Sequence, residues 1–167
     1  MKKKIKIGNR YVGEGERTFL VAEVSANHLQ DYGRAEAIIR AAKEAGADAV
    51  KLQTYTPDTI TLDCDNDYFQ ITQGTIWDGT TLHKLYEEAY TPWEWQPKLM
   101  ELANGLGMEC FSSPFDATAV DFMREMDMPA YKVASFEIND IPLIRRIARI
   151  GKPIIFATGI AYLEDIE

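Results

Sequence analysis

Apolar runs and amphipathic stretches alternate along most of the chain. Short apolar runs typical of buried strands lie at residues 19–24, 48–53, 108–112, 130–134 and 153–157. Apolar positions recur at helical spacing over residues 34–45, 93–106, 117–126 and 141–150. Alternation of strands and helices predicts a parallel sheet with right-handed crossovers.

Turn and capping residues mark the ends of these elements. Residues 5–13 alternate in polarity around Gly8 and Asn9, which predicts a small β-hairpin at the bottom of a barrel. Gly46 follows the first predicted helix, as is common at helix C-termini. Asp116 precedes a later helix as a predicted N-cap.

A long insertion at residues 54–90 interrupts the alternation. It is rich in Asp, Asn, Gly and Pro, and residues 81–89 predict a short helix inside it. The aromatic residues Tyr55 and Trp77 favour an ordered segment. Loops of this length in compact domains are usually functional or disordered.

Two parallel architectures fit five strands with intervening helices. A dinucleotide-binding fold would place a G-x-G-x-x-G sequence after the first strand, and this chain has none there. Polar residues at the strand ends instead favour a (β/α)8 barrel, in which chemistry occurs at the carboxyl ends of the strands. We predict an α/β chain with an N-terminal hairpin (5–18) and β/α units (19–167) that form about five strands of a TIM barrel.

Composition and charge disfavour several classes of function. The 167 residues are 46% hydrophobic and carry a net charge of −8, a poor match to nucleic acid or an anionic membrane surface. No run approaches the roughly 18 apolar residues of a membrane span, and the short basic start lacks the apolar region of a signal peptide. Cys64 and Cys110 lie far apart, which predicts unpaired thiols and a cytoplasmic protein.

Polar side chains at the predicted strand ends form the candidate site. Lys51 and Gln53 share one face of the second strand, and Lys132 lies between small residues of its own face on the fourth. Two lysines on one barrel face predict a site for phosphate or carboxylate, although lysines at an edge can also extend into solvent. The further candidates are Glu23, Asn27, Tyr55, Ser112, Ser113, Ser135, Glu137 and Thr158.

Several candidates have two interpretations on sequence grounds. Ser112 and Ser113 precede a helix, where hydroxyl and backbone N–H groups can hold a phosphate oxygen or form an ordinary capping loop. Glu137 could pair with Lys132 or act on a metal-bound water. His28 could be a ligand, but a lone histidine is more often structural.

Five motifs, in order along nearly the whole chain, resemble the sialic acid synthase family. They are residues 21–28 (VAEVSANH), 45–54 (AGADAVKLQT), 111–115 (FSSPF), 130–137 (AYKVASFE) and 151–159 (GKPIIFATG). Residues 25–28 and 54–58 further resemble the pseudaminic acid branch of that family. Several motifs in register are a strong signal, whereas any one alone would be weak.

The resemblance implies a condensation that depends on phosphoenolpyruvate. C3 of phosphoenolpyruvate attacks the aldehyde of an open-chain amino sugar, water attacks C2, and phosphate leaves by C–O cleavage. A divalent metal, Mn²⁺ or Mg²⁺, polarises the aldehyde oxygen. The sugar implied is a 2,4-diacetamido-2,4,6-trideoxy hexose and the product pseudaminic acid. The alternatives are an N-acetylneuraminate or legionaminic acid synthase, and a non-catalytic half-barrel that binds phosphoenolpyruvate or a partner.

The resemblance also implies roles for individual residues. Phosphoenolpyruvate would be held by the two lysines and two serines, namely Lys51, Ser113, Lys132 and Ser135. Glu23 and Gln53 would lie near the sugar and metal, and Glu137 near the water or metal. The insertion would help to close over the sugar.

The chain departs from the family pattern in two places. Ala157 precedes Thr158 where members often carry a phosphate-contacting serine, and losing such a bond weakens binding by about 1.5–3 kcal/mol. Three barrel strands, two metal-ligand histidines and the antifreeze-like domain of the family homodimer would lie beyond Glu167, and neither His28 nor His83 matches a ligand position. We therefore expect these residues alone to be inactive and their open sheet edges to favour self-association.

Overall fold

The computed structural model describes residues 4–72, 74 and 77–167, and a five-stranded parallel sheet lies at their centre. Its strands are β3 (Val21–Glu23), β4 (Ala49–Thr54), β5 (Glu109–Pro114), β6 (Tyr131–Val133) and β7 (Ile154–Phe156). They pair in sequence order, each parallel to the next. This arrangement confirms the predicted half of a (β/α)8 barrel.

A two-stranded antiparallel hairpin precedes the sheet, as predicted. It consists of β1 (Ile5–Ile7) and β2 (Arg10–Val12), joined through Gly8 at φ +55°. A side chain at Gly8 would overlap the carboxylate of Glu109, which accepts the Asn9 amide at 2.7 Å. Glycine therefore lets the hairpin turn lie directly against the N-terminal end of β5.

Helices cover the outer face of the sheet. They are α1 (Tyr32–Glu44), α4 (Gln96–Gly105), α5 (Ala117–Glu125) and α6 (Ile141–Ala148). A short exposed helix, α7 (Leu163–Ile166), follows β7. The Asp116 carboxylate caps α5 by accepting from two backbone amides, and the Asp140 carboxylate caps α6 by accepting from the Leu143 amide. A 3-10 turn (Trp93–Trp95) forms the first part of the stretch predicted as one helix at 93–106.

The insertion contains two helices. The predicted helix is α3 (Leu82–Ala89), with Thr81 as its N-cap. A second helix, α2 (Pro57–Ile60), was not predicted; it is a single turn that begins at a proline after Thr56. An isolated antiparallel bridge between Gln70 and Thr81 ties the connecting segment to the start of α3.

Strand parity sorts the sheet residues onto two faces. Val50, Leu52 and Cys110 point outward into the core beneath α1 and α4. Ala49 and Phe111 point inward, where they pack with Ile7 and other apolar residues at the bottom of the barrel. Both cysteines are unpaired, as predicted, and burial raises the pKa of Cys110 to about 12.

The third strand is longer than predicted. We expected it to end at residue 112, before Ser113. The structure pairs Ser112 with Leu52 and Ser113 with Gln53, so β5 continues through both serines to Pro114. Strand pairing with β4 therefore extends β5 past the last apolar residue of the run.

The two outer strands of the sheet leave apolar side chains exposed. Val21 on β3 is 37% exposed and Phe156 on β7 is 44% exposed. Unpaired strand edges are a route to association between chains, and the self-association expected from sequence remains a prediction. Within the residues described, no helix combines the length and apolar character needed to span a membrane.

Asp48 connects the hairpin to the sheet at the bottom of the barrel. Its carboxylate accepts from Arg10 at 2.7 Å, from Arg17, and from the Leu20 amide at 2.9 Å. Burial alone would raise the pKa of Asp48, but the Leu20 amide and the two arginines outweigh it and lower the pKa below its usual range. The ionised carboxylate is therefore the form that the fold stabilises.

We predict that Asp48→Asn lowers the free energy of unfolding by about 1.5–3 kcal/mol at pH 7, since it weakens hydrogen bonds to a charged group. Because the pKa of Asp48 is lower in the folded chain than in the unfolded chain, where it is about 3.9, the ionised carboxylate stabilises the fold at neutral pH. This stabilisation is lost as the pH falls and the carboxylate becomes protonated. The difference between native and variant, measured by urea unfolding, should therefore shrink at acid pH. Asp127→Asn, at a carboxylate 86% exposed, is the control and should change little. Equal losses of unfolding free energy in Asp48→Asn and Asp127→Asn would contradict the stabilising role of the Asp48 carboxylate.

Candidate functional site

The parallel register brings the predicted polar residues to one inner face. Glu23 pairs with Lys51 across β3 and β4, and Gln53 pairs with Ser113 across β4 and β5. Ser112 pairs with Tyr131, which places Lys132 on the inner face beside Ser113. The sequence argument from strand parity thus identified side chains that lie side by side at the carboxyl end of the sheet.

The two lysines occupy the inner face with few acidic partners. Lys51 is only 7% exposed, and its Nζ lies 3.5 Å from a carboxylate oxygen of Glu23. The Lys132 ammonium donates to the Val133 carbonyl at 3.1 Å. Burial lowers the pKa of Lys132, and the charge of Lys51 lowers it further, against opposition from Glu23 and Glu137. Mutual repulsion of this kind is relieved when an anion binds.

Two buried polar atoms beside the lysines have no hydrogen-bond partner among the described residues. They are the Ser113 hydroxyl on β5 and Oε2 of Glu137, in the 3-10 turn Ser135–Glu137 that follows β6. Burial raises the pKa of Glu137, and Asp140 acts in the same direction, while Lys132 opposes the shift. Buried polar groups are nearly always paired in folded proteins, so unpartnered ones at one site indicate that a ligand completes them.

Glu137 is not the ion-pair partner of Lys132 that one interpretation of the sequence favoured. No ion pair within 4.0 Å joins the two side chains in the part of the chain that the structure describes, although their charges interact. The carboxyl group instead faces the space above the sheet. This position leaves the other interpretation, a role towards water or substrate, as a prediction.

Ser112 lies on the opposite face of β5 from Ser113, a correction to their grouping in one site. Its hydroxyl donates to Thr54 Oγ1 at 2.7 Å, and the Thr54 hydroxyl donates to Gln96 Oε1 at 2.8 Å. These partners lie towards α4 and away from the inner face. The helix-start role predicted for both serines also fails on position, because the Asp116 carboxylate caps the N-terminus of α5.

Ser135 and Thr158 lie at the top of β6 and β7. The Ser135 hydroxyl accepts the Ile160 amide at 3.2 Å, which links the turn after β6 to the loop after β7. A side chain at Gly159 would come within 2.9 Å of the Ser135 hydroxyl, so glycine permits this close approach. Thr158 itself is exposed. The structure brings Ser135 to the candidate site and leaves Thr158 at its rim.

The turn after β3 positions Asn27 at the surface. Asn27 is exposed, and its side-chain amide donates to the Val24 carbonyl at 3.2 Å. Ser25, in the same turn, adopts φ +49°, a left-handed conformation that is costly for a residue with a side chain. Strained backbone of this kind is concentrated at functional sites, and Ser25 lines the cleft described below.

His28 is a structural residue, in line with the commoner role of a lone histidine. It is fully buried, and burial lowers its pKa. Its Nδ1 accepts the Gln30 amide at 3.0 Å, so Nε2 carries the proton and donates to Thr91 Oγ1 at 3.0 Å. Both ring nitrogens are therefore used within the fold.

A cleft of about 520 Å³ opens above the inner face. Its polar lining includes Gln53, Ser135 and Glu137, and its apolar lining includes Tyr55. Tyr55 is 3% exposed and packs edge-on against Tyr86 at 5.5 Å and Phe115 at 5.4 Å. Tyr55 thus forms part of an aromatic wall, and desolvation raises its pKa well above the usual range.

Sequence reasoning missed several residues of this cleft. They are Ser25, Ala26, Ile60, Tyr86, Ala89, Ala134 and Phe136. Tyr86 and Ala89 lie three residues apart on α3, a spacing that places both on one helix face. That spacing was a usable signal, but the sequence alone does not show which way the face of an inserted helix turns.

The cleft and the lysines form two connected parts of one site. Lys51 precedes Gln53 by two residues on β4, and Lys132 precedes the turn that carries Glu137, so both lysines start deeper in the barrel than the residues of the cleft lining. Gln53 and Glu137 belong to the cleft lining. A ligand with an anionic end and a larger neutral part would therefore place its charge on the lysines.

The described residues do not by themselves form a metal centre. Residues 4–72, 74 and 77–167 contain no group of three or more His, Cys, Asp or Glu side chains arranged to hold an ion. Glu23 and Glu137 are the acidic side chains whose charges act on Lys132 at the inner face. We therefore assign them no ligand geometry.

We predict opposite stability effects for the two adjacent serines of β5. Ser112→Ala should lower the free energy of unfolding by about 1 kcal/mol, because it removes the hydrogen bond to Thr54. Ser113→Ala should leave stability unchanged or raise it, because its buried hydroxyl has no partner to lose. Urea unfolding of both variants checks this, and a loss in Ser113→Ala equal to that in Ser112→Ala would show that the two hydroxyls are placed alike.

We predict that Glu137→Gln stabilises the fold at pH 8 by about 1 kcal/mol, since it removes a charge that burial disfavours and whose Oε2 has no hydrogen-bond partner among the described residues. A raised pKa means that ionisation destabilises the native state as pH rises above the unfolded-state value of about 4.3. The gain should therefore vanish below about pH 4. Thermal unfolding across this pH range measures it, with Glu88→Gln on the exposed side of α3 as control. A lower free energy of unfolding for Glu137→Gln than for the native chain at pH 8 would contradict the view that the charge of Glu137 destabilises the fold.

Comparison with known proteins finds similar sequences over most of this chain. A pseudaminic acid synthase from Campylobacter jejuni is 47% identical over 162 residues, covering 97% of this chain and 46% of the relative. A pseudaminic acid synthase from Helicobacter pylori is 51% identical over 148 residues, covering 89% of this chain and 43% of the relative. The chain therefore spans about half the length of the curated relatives it matches.

Structural and family comparisons agree with these relatives. The crystal structure of an N-acetylneuraminic acid synthetase from Leptospira borgpetersenii, in complex with citrate, superposes with a TM-score of 0.84 at 25% identity. The match covers 99% of this chain and 53% of that protein. The model of the NeuB family matches residues 38–167, which is most of the sequence. The chain belongs to the NeuB family.

Proposed function

We propose that this chain is part of a synthase that condenses phosphoenolpyruvate with a 2,4-diacetamido-2,4,6-trideoxy hexose to form pseudaminic acid. The observation that carries the proposal is the anion site made by Lys51, Lys132 and the unpartnered hydroxyl of Ser113. The relatives named pseudaminic acid synthase, at 47% and 51% identity, favour this product over other nonulosonic acids.

Phosphoenolpyruvate carries two anionic groups, and the inner face offers two ammonium groups. Lys51 and Lys132 would neutralise its carboxylate and phosphate, and Ser113 would donate its free hydroxyl proton to one of the oxygens. Charge-assisted hydrogen bonds of this kind are short and strong. Glu23 would hold Lys51 in place through the existing contact at 3.5 Å.

The reaction joins the two substrates where the deep and outer parts of the site meet. C3 of phosphoenolpyruvate forms a bond to the aldehyde carbon of the open-chain sugar, and the aldehyde oxygen gains a proton. Water then adds its oxygen to C2, and the bond between C2 and the bridging oxygen breaks to release phosphate. Gln53 and Ser135 line the cleft and would orient the sugar.

Glu137 has the position and the electrostatics of a proton-transfer group in this scheme. Glu137 lines the cleft, its Oε2 has no hydrogen-bond partner among the described residues, and burial raises its pKa. A carboxylate with a raised pKa is a stronger base, so Glu137 would take the proton from the attacking water. The charge of Lys132 opposes the rise in pKa and so favours the ionised form that acts as a base.

Further components of the active enzyme belong to the proposal. We propose a divalent cation, Mn²⁺ or Mg²⁺, for the complete site, although the described residues do not form its ligand set and no step above depends on it. We also propose a homodimer acting in the cytoplasm, with phosphoenolpyruvate and an amino sugar as its small-molecule partners. Asn27 and Thr158 would contribute at the rim of the site.

We predict that Lys51→Ala and Lys132→Ala each weaken phosphoenolpyruvate binding by at least about tenfold, the loss expected of one charge-assisted contact. Isothermal titration calorimetry on the 167-residue chain without added metal measures the dissociation constants. Lys98→Ala, on the exposed face of α4, removes the same charge away from the site and should leave binding unchanged.

Ser113→Ala should also weaken binding, whereas Ser112→Ala should not, since its hydroxyl points away from the inner face. The two-dimensional ¹H–¹⁵N spectrum of each variant verifies that it is folded. Unchanged affinity in both lysine variants would overturn the anion site and, with it, the proposed function.

A further inference from the structure

One wall of the cleft is apolar and comes from the insertion. Ile60 of α2 and Tyr86 and Ala89 of α3 line the cleft together, and we call these three residues the α2–α3 wall. All three are partly exposed, so their side chains remain accessible from the cleft. The same cleft is also lined by the polar side chains of Gln53, Ser135 and Glu137.

The α2–α3 wall is held in place by two side-chain contacts. His83 Nε2 lies 2.9 Å from the Asp58 carboxylate and so joins α3 to α2. Tyr55 packs edge-on against Tyr86 and connects α3 to the end of β4. These contacts fix the wall relative to the sheet, so it can act as a preformed surface.

A cleft lined by both apolar and polar side chains suits a ligand that carries both apolar and polar groups. Sugars with several hydroxyl groups present polar edges all round, and a hydroxyl against Ile60 or Ala89 would lose its hydrogen bonds to water. Deoxygenated carbons and acetamido methyl groups lose nothing there and gain contact. Tyr86 adds one donor, because burial and the charge of Glu137 raise its pKa and keep its hydroxyl protonated.

We propose that the α2–α3 wall determines the sugar specificity of this site by binding the methyl groups of a deoxygenated, N-acetylated hexose. The proposal rests on the proposed function, because it assigns the neutral substrate of the same site. The apolar methyl at C6 and one acetamido methyl would contact Ile60 and Ala89. The Tyr86 hydroxyl would donate to an acetamido carbonyl oxygen.

The test compares two sugars on the same chain. The first is a 2,4-diacetamido-2,4,6-trideoxy hexose, and the second is a 2-acetamido-2-deoxy hexose with hydroxyls at C4 and C6. ¹H–¹⁵N NMR titrations, with and without saturating phosphoenolpyruvate, give both dissociation constants. We expect the first sugar to bind at least about tenfold more tightly, the discrimination that apolar pockets supply.

Two substitutions place a polar group on the wall. Ile60→Asn and Ala89→Ser should each remove most of the preference for the first sugar and leave phosphoenolpyruvate affinity unchanged. Leu62→Asn is the matched control, since Leu62 is 68% exposed two residues from Ile60 and does not line the cleft. The spectra show directly whether each variant keeps the native fold. If Ile60→Asn does not fold, the smaller substitution Ala89→Ser carries the test.

The outcomes separate this inference from the proposed function. Equal affinity for the two sugars, or no binding of either while phosphoenolpyruvate binds, would overturn the role of the wall and leave the anion site intact. A preference for the first sugar that persists in both Ile60→Asn and Ala89→Ser would also overturn the role of the wall and leave the anion site intact. Selective sugar binding that depends on the wall, in a chain that does not bind phosphoenolpyruvate, would support the wall and contradict the condensation.

Discussion

The close placement of two ammonium groups on one face of the sheet is the constraint that the site is built around. Lys51 is almost fully buried with one carboxylate contact, and Lys132 is affected by its charge. Holding like charges together in a desolvated place costs free energy unless counter-charges or a ligand offset it. Glu23 and Glu137 supply part of that counter-charge, and only Glu23 does so by direct contact.

The remainder of the fold keeps this arrangement in place from below and outside. The hairpin and the Asp48 contacts fix the N-terminal end of the sheet, where apolar residues fill the barrel bottom. On the outer face, Ser112, Thr54 and Gln96 satisfy one another between β5 and α4. These polar groups are therefore paired, whereas the Ser113 hydroxyl and Glu137 Oε2 at the inner site have no partner among the described residues.

Sequence reasoning found the part of the site that strand parity controls. Lys51, Gln53, Ser113 and Lys132 come from strands whose period of two fixes the face of each side chain. It grouped Ser112 with Ser113 as residues before a helix, whereas pairing with β4 continues β5 through both serines and turns them to opposite faces. It missed Ile60, Tyr86 and Ala89 because the direction of an inserted helix depends on tertiary contacts such as His83 with Asp58.

The strand residues and the insertion residues of this site differ in how far they can be substituted without disturbing the fold. The anion-binding residues lie on strands whose register is shared with the core, so moving one would disturb the packing of its neighbours. The α2–α3 wall rests on two short helices tied to the sheet by a few side-chain contacts. Under the proposal, the sugar can therefore change through substitutions in the insertion, while the common phosphoenolpyruvate site stays as the sheet dictates.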